Sequence, residues 1–328
     1  MKVLLTGGSG FLGSHIAEQL SREGHIVRAL VRKSSNRKFL EKLDRLEFAE
    51  GAVEDADKVE EAMKGVDAVI HSAGLVKART PDEFRATNVQ GTVNLLDAAK
   101  KRAPGLKRFV FISSLAAVGP SYDGKPVSGS QDPNPVTHYG RSKGEAERLV
   151  RTEKDRLPVT VIRPPLVYGP RDNETFAFFQ SVSRGVLPIL GDGLNTLSVI
   201  YASDAASACV RAIEADVPSG NAYFVDDGEA HVWREALADV ERALGKRARL
   251  RFGIPLAVVA AAALGSELYG KLSNKAVMLT RDKVNELKQP HWVCNSDDTR
   301  KDLGWKSEVA WREGTALAAK WYRDNGWL

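Results

Sequence analysis

This 328-residue chain has little of several things, and each scarcity removes a class of protein. It has two cysteines, Cys209 and Cys294. One pair cannot make a disulfide framework, and neither residue stands at metal-ligand spacing, so both are expected as reduced thiols in a cytoplasmic protein. The six histidines are scattered, with no HExxH and no pair at helical spacing, which predicts no structural or catalytic metal. No run of five or six like charges occurs, and a net charge of +5 is small for the length. Nucleic acid is therefore not expected as a partner. No window reaches 18 apolar residues, short of a bilayer-spanning helix. MKVLLTGG at the start is too short for a signal peptide and lacks a cleavage region. The longest apolar stretch, IPLAVVAAAALG (254–265), is read with its helix (254–264) as buried, the alternative being a membrane-facing or lid helix.

What is present is a globular composition, 43% apolar and 27% charged. The first half alternates strand and helix patterns. Apolar runs at 2–6, 25–31, 46–51, 66–74, 107–114 and 157–164 read as strands, with helices at 11–24, 56–65, 81–101 and 137–154 between them. Strands separated by helices in this way imply a doubly wound parallel α/β sheet of the Rossmann type. Right-handed crossovers then put every strand's C-terminal end on one edge, where such sheets bind ligands. The segment 121–135, rich in Gly, Pro, Ser and Asp, reads as a loop. LSVIYASDAASACVRAIEA (197–215) reads as a strand and helix returning to the main sheet. All six tryptophans lie at or after Trp233, a shift that suggests separate packing. The expected division is a nucleotide-binding domain (1–165 and about 197–220) and a smaller substrate-binding region (166–196 and 221–328).

LTGGSGFLGSH (5–15) places Gly7, Gly10 and Gly13 three apart between a strand and a helix. Such glycines allow a tight turn, close approach of a pyrophosphate and close helix–strand packing. Phe11 and Leu12, at the helix N-terminus, add free amides and a partial positive charge. The next strand ends in RALVRKSSNRK (28–38), with no acid to bind a ribose 2′-hydroxyl. Arg32 stands there instead, with Lys33, Arg37 and Lys38. A guanidinium suits a 2′-phosphate, so NADP(H) is favoured over NAD(H).

THYGRSKGEAERLV (137–150) puts Tyr139 and Lys143 four apart on a predicted helix, hence on one face. A neighbouring ammonium favours the phenolate and lowers the tyrosine's pKa from about 10 towards working pH. A tyrosine so tuned exchanges a proton with a hydroxyl or carbonyl oxygen. FVFISSLAAVG (109–119) ends a strand on the ligand edge with Ser113 and Ser114 at its tip.

Together TGGSGFLGSH, HSAG (71–74), NVQGT (88–92), the two serines before LAAVG, YGRSK (139–143) and RPPLVYGPR (163–171) resemble the extended short-chain dehydrogenase/reductases over residues 1 to about 215. The resemblance implies that Tyr139 is the general acid/base and that Lys143 binds the nicotinamide ribose. It selects Ser114, five residues before Gly119, as the catalytic serine. It implies that Ala73 and Asn88 line the cofactor, that Pro164 borders the nicotinamide, and that the protein is a homodimer pairing helices 82–101 and 137–154. The family often has Gly-Asp after its third strand; here it is Gly51-Ala52, with Asp55 as a possible substitute.

Nucleotide-sugar epimerases and dehydratases of this family carry an arginine for the substrate diphosphate, where this chain has Leu197 in LSVIYASD (197–204). Arg171 and Arg251 are the residues that would compensate. TFAFFQSV (175–182) clusters Phe176, Phe178 and Phe179, and Tyr168 and Tyr201 fall in neighbouring segments. Tyr168, Phe176, Phe179 and Tyr201 are the expected substrate contacts. These features, with 273–305, resemble the 3β-hydroxysteroid dehydrogenase and dihydroflavonol reductase-like branches. The expected activity is NADP(H)-dependent interconversion of a ketone and a secondary alcohol on an apolar small molecule. A nucleotide-sugar epimerase or dehydratase is the alternative, and a non-enzymatic cofactor sensor a more distant one.

Overall fold

The computed structural model describes residues 1–129, 131 and 133–328. Six of the expected strands form: β1 (Lys2–Thr6), β2 (Ile26–Val31), β3 (Leu46–Glu50), β4 (Ala68–His71), β5 (Arg108–Ile112) and β6 (Val159–Arg163). With Ala222–Phe224 they make one seven-stranded sheet, in the order Ala222–Phe224, β6, β5, β4, β1, β2, β3. Every pairing in it is parallel. The chain runs outward from β1 to β3 on one side and from β4 to β6 on the other. The strand order therefore reverses between β1 and β4, whose ends meet at Thr6 and His71. A reversal of this kind opens a crevice at the C-terminal edge.

Helices cover both faces because the central strands are apolar on both. On one face Ile16 and Leu20 of the helix Phe11–Arg22 pack with Ala206, Cys209 and Val210 of the helix Ala202–Glu214. On the other, Val59 and Met63 pack with Leu95, Leu96 and Phe109. The expected helix 81–101 is three consecutive pieces: Pro81–Phe84, a π-helical turn Arg85–Gln90 and Gly91–Arg102. A separate aromatic core holds the C-terminal region together, with Tyr168, Phe179, Tyr201, Trp311 and Tyr322 at its centre.

Three expectations are corrected. The strand at 197–201 does not return to the main sheet: Val199–Tyr201 pairs with Leu166–Tyr168, and Thr196–Leu197 pairs with His231–Val232 and His291–Trp292. The place beside β6 is taken by Ala222–Phe224, in register Ala222 to Val161, so the nucleotide-binding sheet reclaims a strand assigned to the substrate region. Apolarity identifies a strand but not the sheet it joins. The helix that follows, Ala202–Glu214, does return to the main core. Lastly, the apolar stretch 254–264 is not a buried helix. It lies in the helix Leu256–Ser273, which buries only Val259, Ala263 and Gly270. Of the predicted loop 121–135, residues 130 and 132 lie outside the described residues.

Candidate active site

The first turn is shaped by what its glycines avoid. Gly7 has φ +72°, and a Cβ on it would stand 2.6 Å from the Ala73 amide nitrogen at the end of β4. A Cβ on Gly13 would stand 2.0 Å from the Gly7 carbonyl oxygen. The turn thus lies against β4, and the helix lies on the turn. Gly10, Phe11 and Leu12 border the crevice at the helix N-terminus, whose first-turn amides have no acceptor within the helix. The Gly10 amide is taken by the Gly7 carbonyl at 2.9 Å, and a glycine floor under the Phe11 and Leu12 amides, which have no acceptor among the described residues, fits a dinucleotide pyrophosphate.

The crevice is continuous with a cleft of about 1970 Å³ that also takes in Arg32, Ala73, Ser114, Tyr139, Lys143 and Pro164. Arg32 is exposed at its rim, and its guanidinium forms no ion pair among the described residues. Arg37 is committed elsewhere, 3.7 Å from Glu50 and stacked 4.8 Å over Phe48. Asp55 does not substitute for the missing family acid. It caps the helix Ala56–Met63, its carboxylate accepting from the Lys58 amide at 3.1 Å, while Ala52 borders the cleft.

The wall opposite the turn is set by two helix starts. Ser114 caps the short helix Leu115–Val118, and Thr137 caps His138–Thr152. A Cβ on Gly140 would stand 2.3 Å from the Ala116 carbonyl, so glycine at that position lets the second helix lie directly on the first. That contact brings the Tyr139 phenol beside the Ser114 hydroxyl, which acts to lower the phenol's pKa. Burial pushes Tyr139 up to about 12, outweighing the lowering from Ser114. Lys143 sits 4.2 Å above the Phe111 ring, and burial pushes it down to about 7 against the raising effect of Glu147. The expected lowering of the tyrosine by Lys143 is therefore not found in this geometry: removal from water dominates at both groups.

The two serines are separated by their partners. Ser113 is buried and donates to Glu147 at 2.7 Å. Glu147 also accepts from the buried Arg163, with Nε at 3.1 and 3.2 Å from its two oxygens. Both serines border the cleft, and Ser114 is the one beside Tyr139. Sequence reasoning missed Glu147, although its spacing of four after Lys143 was a readable signal.

Asn88 was expected to line the cofactor, and the structure places it behind the wall instead. It is buried in the π-helical turn. Its carboxamide accepts from the Leu75 amide at 2.7 Å and donates to Leu75 O at 3.1 Å and Ser142 Oγ at 2.9 Å. It thus ties the loop after β4 to the helix that carries Tyr139. His71 is internal too. It is hydrogen-bonded to Thr6 at 2.7 Å and Thr92 at 3.0 Å, and burial holds its imidazole down at about 3.

The four aromatic substrate contacts are also corrected. Tyr168 and Tyr201 stack edge-on at 5.5 Å inside the C-terminal core, and Phe176 and Phe179 pack on Tyr322 at 4.9 and 5.2 Å. None of the four borders the cleft. Thr175, Phe179 and Val182 form the buried stripe of their helix; Phe178, off that stripe, reaches the cleft with Leu166, Leu197, Trp233, Met278 and Trp292. Helical periodicity, rather than clustering, was the signal that separates them. Phe178→Ala should accordingly raise KM for substrate with little loss of stability. Phe179→Ala should destabilise by about 3–5 kcal/mol. Urea unfolding and steady-state kinetics on the two variants check this.

A pyrophosphate cradle at the sheet's reversal point, facing a serine, tyrosine and lysine, defines a nicotinamide-dependent enzyme on a Rossmann-type fold. The comparisons agree. The chain belongs to the NAD dependent epimerase/dehydratase family, whose model matches residues 3–225, and is an NAD(P)-dependent enzyme of the oxidoreductase/epimerase type acting on alcohols or ketones. It is 30% identical to ceramide reductase of Caulobacter vibrioides, over 99% of this chain and 96% of that protein. It is also 30% identical to UDP-glucose 4-epimerase of Vibrio cholerae, over 97% and 94%. Among solved structures, the dTDP-glucose 4,6-dehydratase DesIV of Streptomyces venezuelae, with NAD bound, shares the fold at a TM-score of 0.81 and 24% identity, covering 100% of this chain and 98% of that one.

Proposed function

We propose that the protein is an NADP(H)-dependent reductase of an apolar ketone, working reversibly on the matching secondary alcohol. The observation that carries this reading is the wall at Leu197. Where sugar-nucleotide enzymes of the family have an arginine, this chain puts an apolar side chain on the cleft. Neither compensating arginine reaches the cleft. Arg171 is bonded to Ser14 at 3.1 Å, paired with Glu18 and stacked 4.3 Å over Phe39. Arg251 is paired with Glu241 at 2.7 Å. Around Leu197 stand Phe178, Trp233 and Trp292, a lining suited to a hydrocarbon body. The Caulobacter relative is named for reducing ceramide, which supports the same side of the choice.

When bound, the cofactor supplies the hydride that adds to the carbonyl carbon. In the proposed mechanism Tyr139 donates its phenolic proton to the carbonyl oxygen, and Ser114 holds that oxygen by a second hydrogen bond. Lys143 places a positive charge beside the developing alkoxide and the ribose. The glycine cradle and the amides of Phe11 and Leu12 hold the pyrophosphate, with Ala73 and Pro164 bordering the bound dinucleotide. A homodimer through helices 82–101 and 137–154, located in the cytoplasm, belongs to the same reading, and size-exclusion chromatography checks its state. Net consumption of NADPH on adding an apolar ketone tests the function. Turnover of a sugar nucleotide without net cofactor consumption overturns it in favour of the epimerase reading, which the Vibrio relative keeps alive.

The cofactor preference rests on Arg32. A charge-assisted hydrogen bond to a 2′-phosphate is worth about 1.5–3 kcal/mol. Arg32→Ala should therefore weaken NADPH binding about 10–100-fold and leave NADH binding within about twofold. Fluorescence titration with each cofactor measures both. Equal loss for the two would mean that Arg32 does not read the phosphate.

A further inference from the structure

The helix Leu256–Ser273 is apolar on its outer face as well as on its inner one. Its buried residues Val259, Ala263 and Gly270 lie on one stripe. The opposite stripe, at spacings of three and four, is Val258, Ala261, Ala262, Gly265, Leu268, Tyr269 and Leu272. It contains no charged or strongly polar residue, and it faces out: Leu268 is 59% and Leu272 81% exposed. The strand Leu250–Ile254, which leads into this helix, adds exposed Leu250 and Phe252. A surface helix of a soluble protein turns a polar face outward, and an exposed apolar patch like this one marks an interaction site. At 18 residues it is not long and apolar enough to cross a membrane.

Charge points to the occupant. Residues 246–275 hold Lys246, Arg247, Arg249, Arg251, Lys271 and Lys275 against the single acid Glu267, an excess equal to the net charge of the whole chain. Lys246, Arg247 and Arg249 are exposed and do not border the cleft, Lys271 and Lys275 are exposed at its edge, and none of the five forms an ion pair among the described residues. A second copy of this chain would bring these cations against each other. An anionic lipid surface would neutralise them while the apolar stripe enters the acyl region. The inner side of the same helix continues the story, because Glu267, Gly270 and Lys271 border the cleft. One helix thus has lipid-suited residues outside and the cleft inside.

We infer that the helix Leu256–Ser273 docks this enzyme on anionic bilayers, lying in the interface and bringing the cleft mouth to the lipid. Docking is independent of what the enzyme reduces; loading of a lipid-dissolved substrate through it rests on the function proposed above. The full chain is co-sedimented with vesicles of phosphatidylcholine alone and with added phosphatidylglycerol. The expected result is binding to the anionic vesicles, weakened several-fold by 0.5 M salt and by Lys246→Glu with Arg249→Glu, and weakened more than tenfold by Leu268→Asp with Leu272→Asp. Leu268 and Leu272 do not border the cleft, so turnover of a water-soluble ketone and thermal stability should be unchanged in that variant. Failure to sediment with anionic vesicles overturns the inference, as does sedimentation that the aspartates do not reduce. A dimer that the aspartates dissolve assigns the stripe to a second copy and overturns it too. If vesicles bind but no apolar ketone is reduced, the docking stands and the proposed function falls.

Discussion

Tyr139→Phe should lower ketone reduction by about 10²–10⁴-fold, the contribution of a positioned general acid, while NADPH binds nearly as before. The substitution removes one oxygen and keeps the ring 6.3 Å from Phe84, so the wall against which substrate packs survives. Ser114 keeps its hydrogen bond from the Ala116 amide at 3.1 Å and still caps its helix. What is lost is the phenol proton beside the cleft's serine, Tyr139 being the only tyrosine bordering the cleft among the described residues. The pH dependence carries the same assignment. Because burial pushes Tyr139 up to about 12, the phenol stays protonated through the neutral range, and a reduction that draws its proton there shows no limb from this group. Lys143, pushed down to about 7, gives the limb instead: its cation is present below that pH and lost above it, so kcat/KM for reduction should fall as pH rises through the neutral range. A variant that turns over at the wild-type rate would remove Tyr139 from the mechanism. A profile flat from pH 6 to 9 would remove the charge of Lys143 from it.

The parts of this site that were legible in sequence are those whose spacing is local. Gly7 and Gly13 were readable because a turn between strand and helix needs glycine within a few residues, and Tyr139 and Lys143 because one helix turn sets their relation. Asn88 was misread because its partners Leu75 and Ser142 come from segments 13 and 54 residues away, which no local pattern reports. The strand 222–224 was given to the wrong region for the same reason: its pairing with β6 is a long-range choice among several apolar runs. The aromatic residues failed differently. Tyr168 and Phe179 have the composition of a substrate pocket, but burial in a core and exposure to a cleft use the same side chains. The helix at 254–264 shows the reverse error, since apolarity was taken to mean burial and the structure turns that surface outward.

The second large effect is expected at Glu147, which touches neither cleft nor surface. Its carboxylate is buried with Arg163, receives the Ser113 hydroxyl, and supplies the charge that raises Lys143. Two charges withdrawn from water in this way gain little as a pair, but breaking the pair leaves Arg163 uncompensated, which costs about 3–5 kcal/mol. Glu147→Gln keeps the shape and most hydrogen bonds while removing the charge, so its loss isolates electrostatics from packing. Urea unfolding should show the destabilisation, and Glu147→Leu with Arg163→Met should recover most of it, since a matched apolar pair removes both buried charges together. Catalysis separates a positioning role from a merely structural one. Without the Glu147 carboxylate the desolvation of Lys143 is opposed by nothing on its own helix turn, so its pKa falls further and the decline in kcat/KM moves to more acid pH. The stabilised double variant should keep that displaced limb although its fold is restored. If stability returns and the pH profile returns with it, Glu147 serves the fold alone, and the charge on Lys143 is set by its burial over Phe111 without help from the ion pair beneath it.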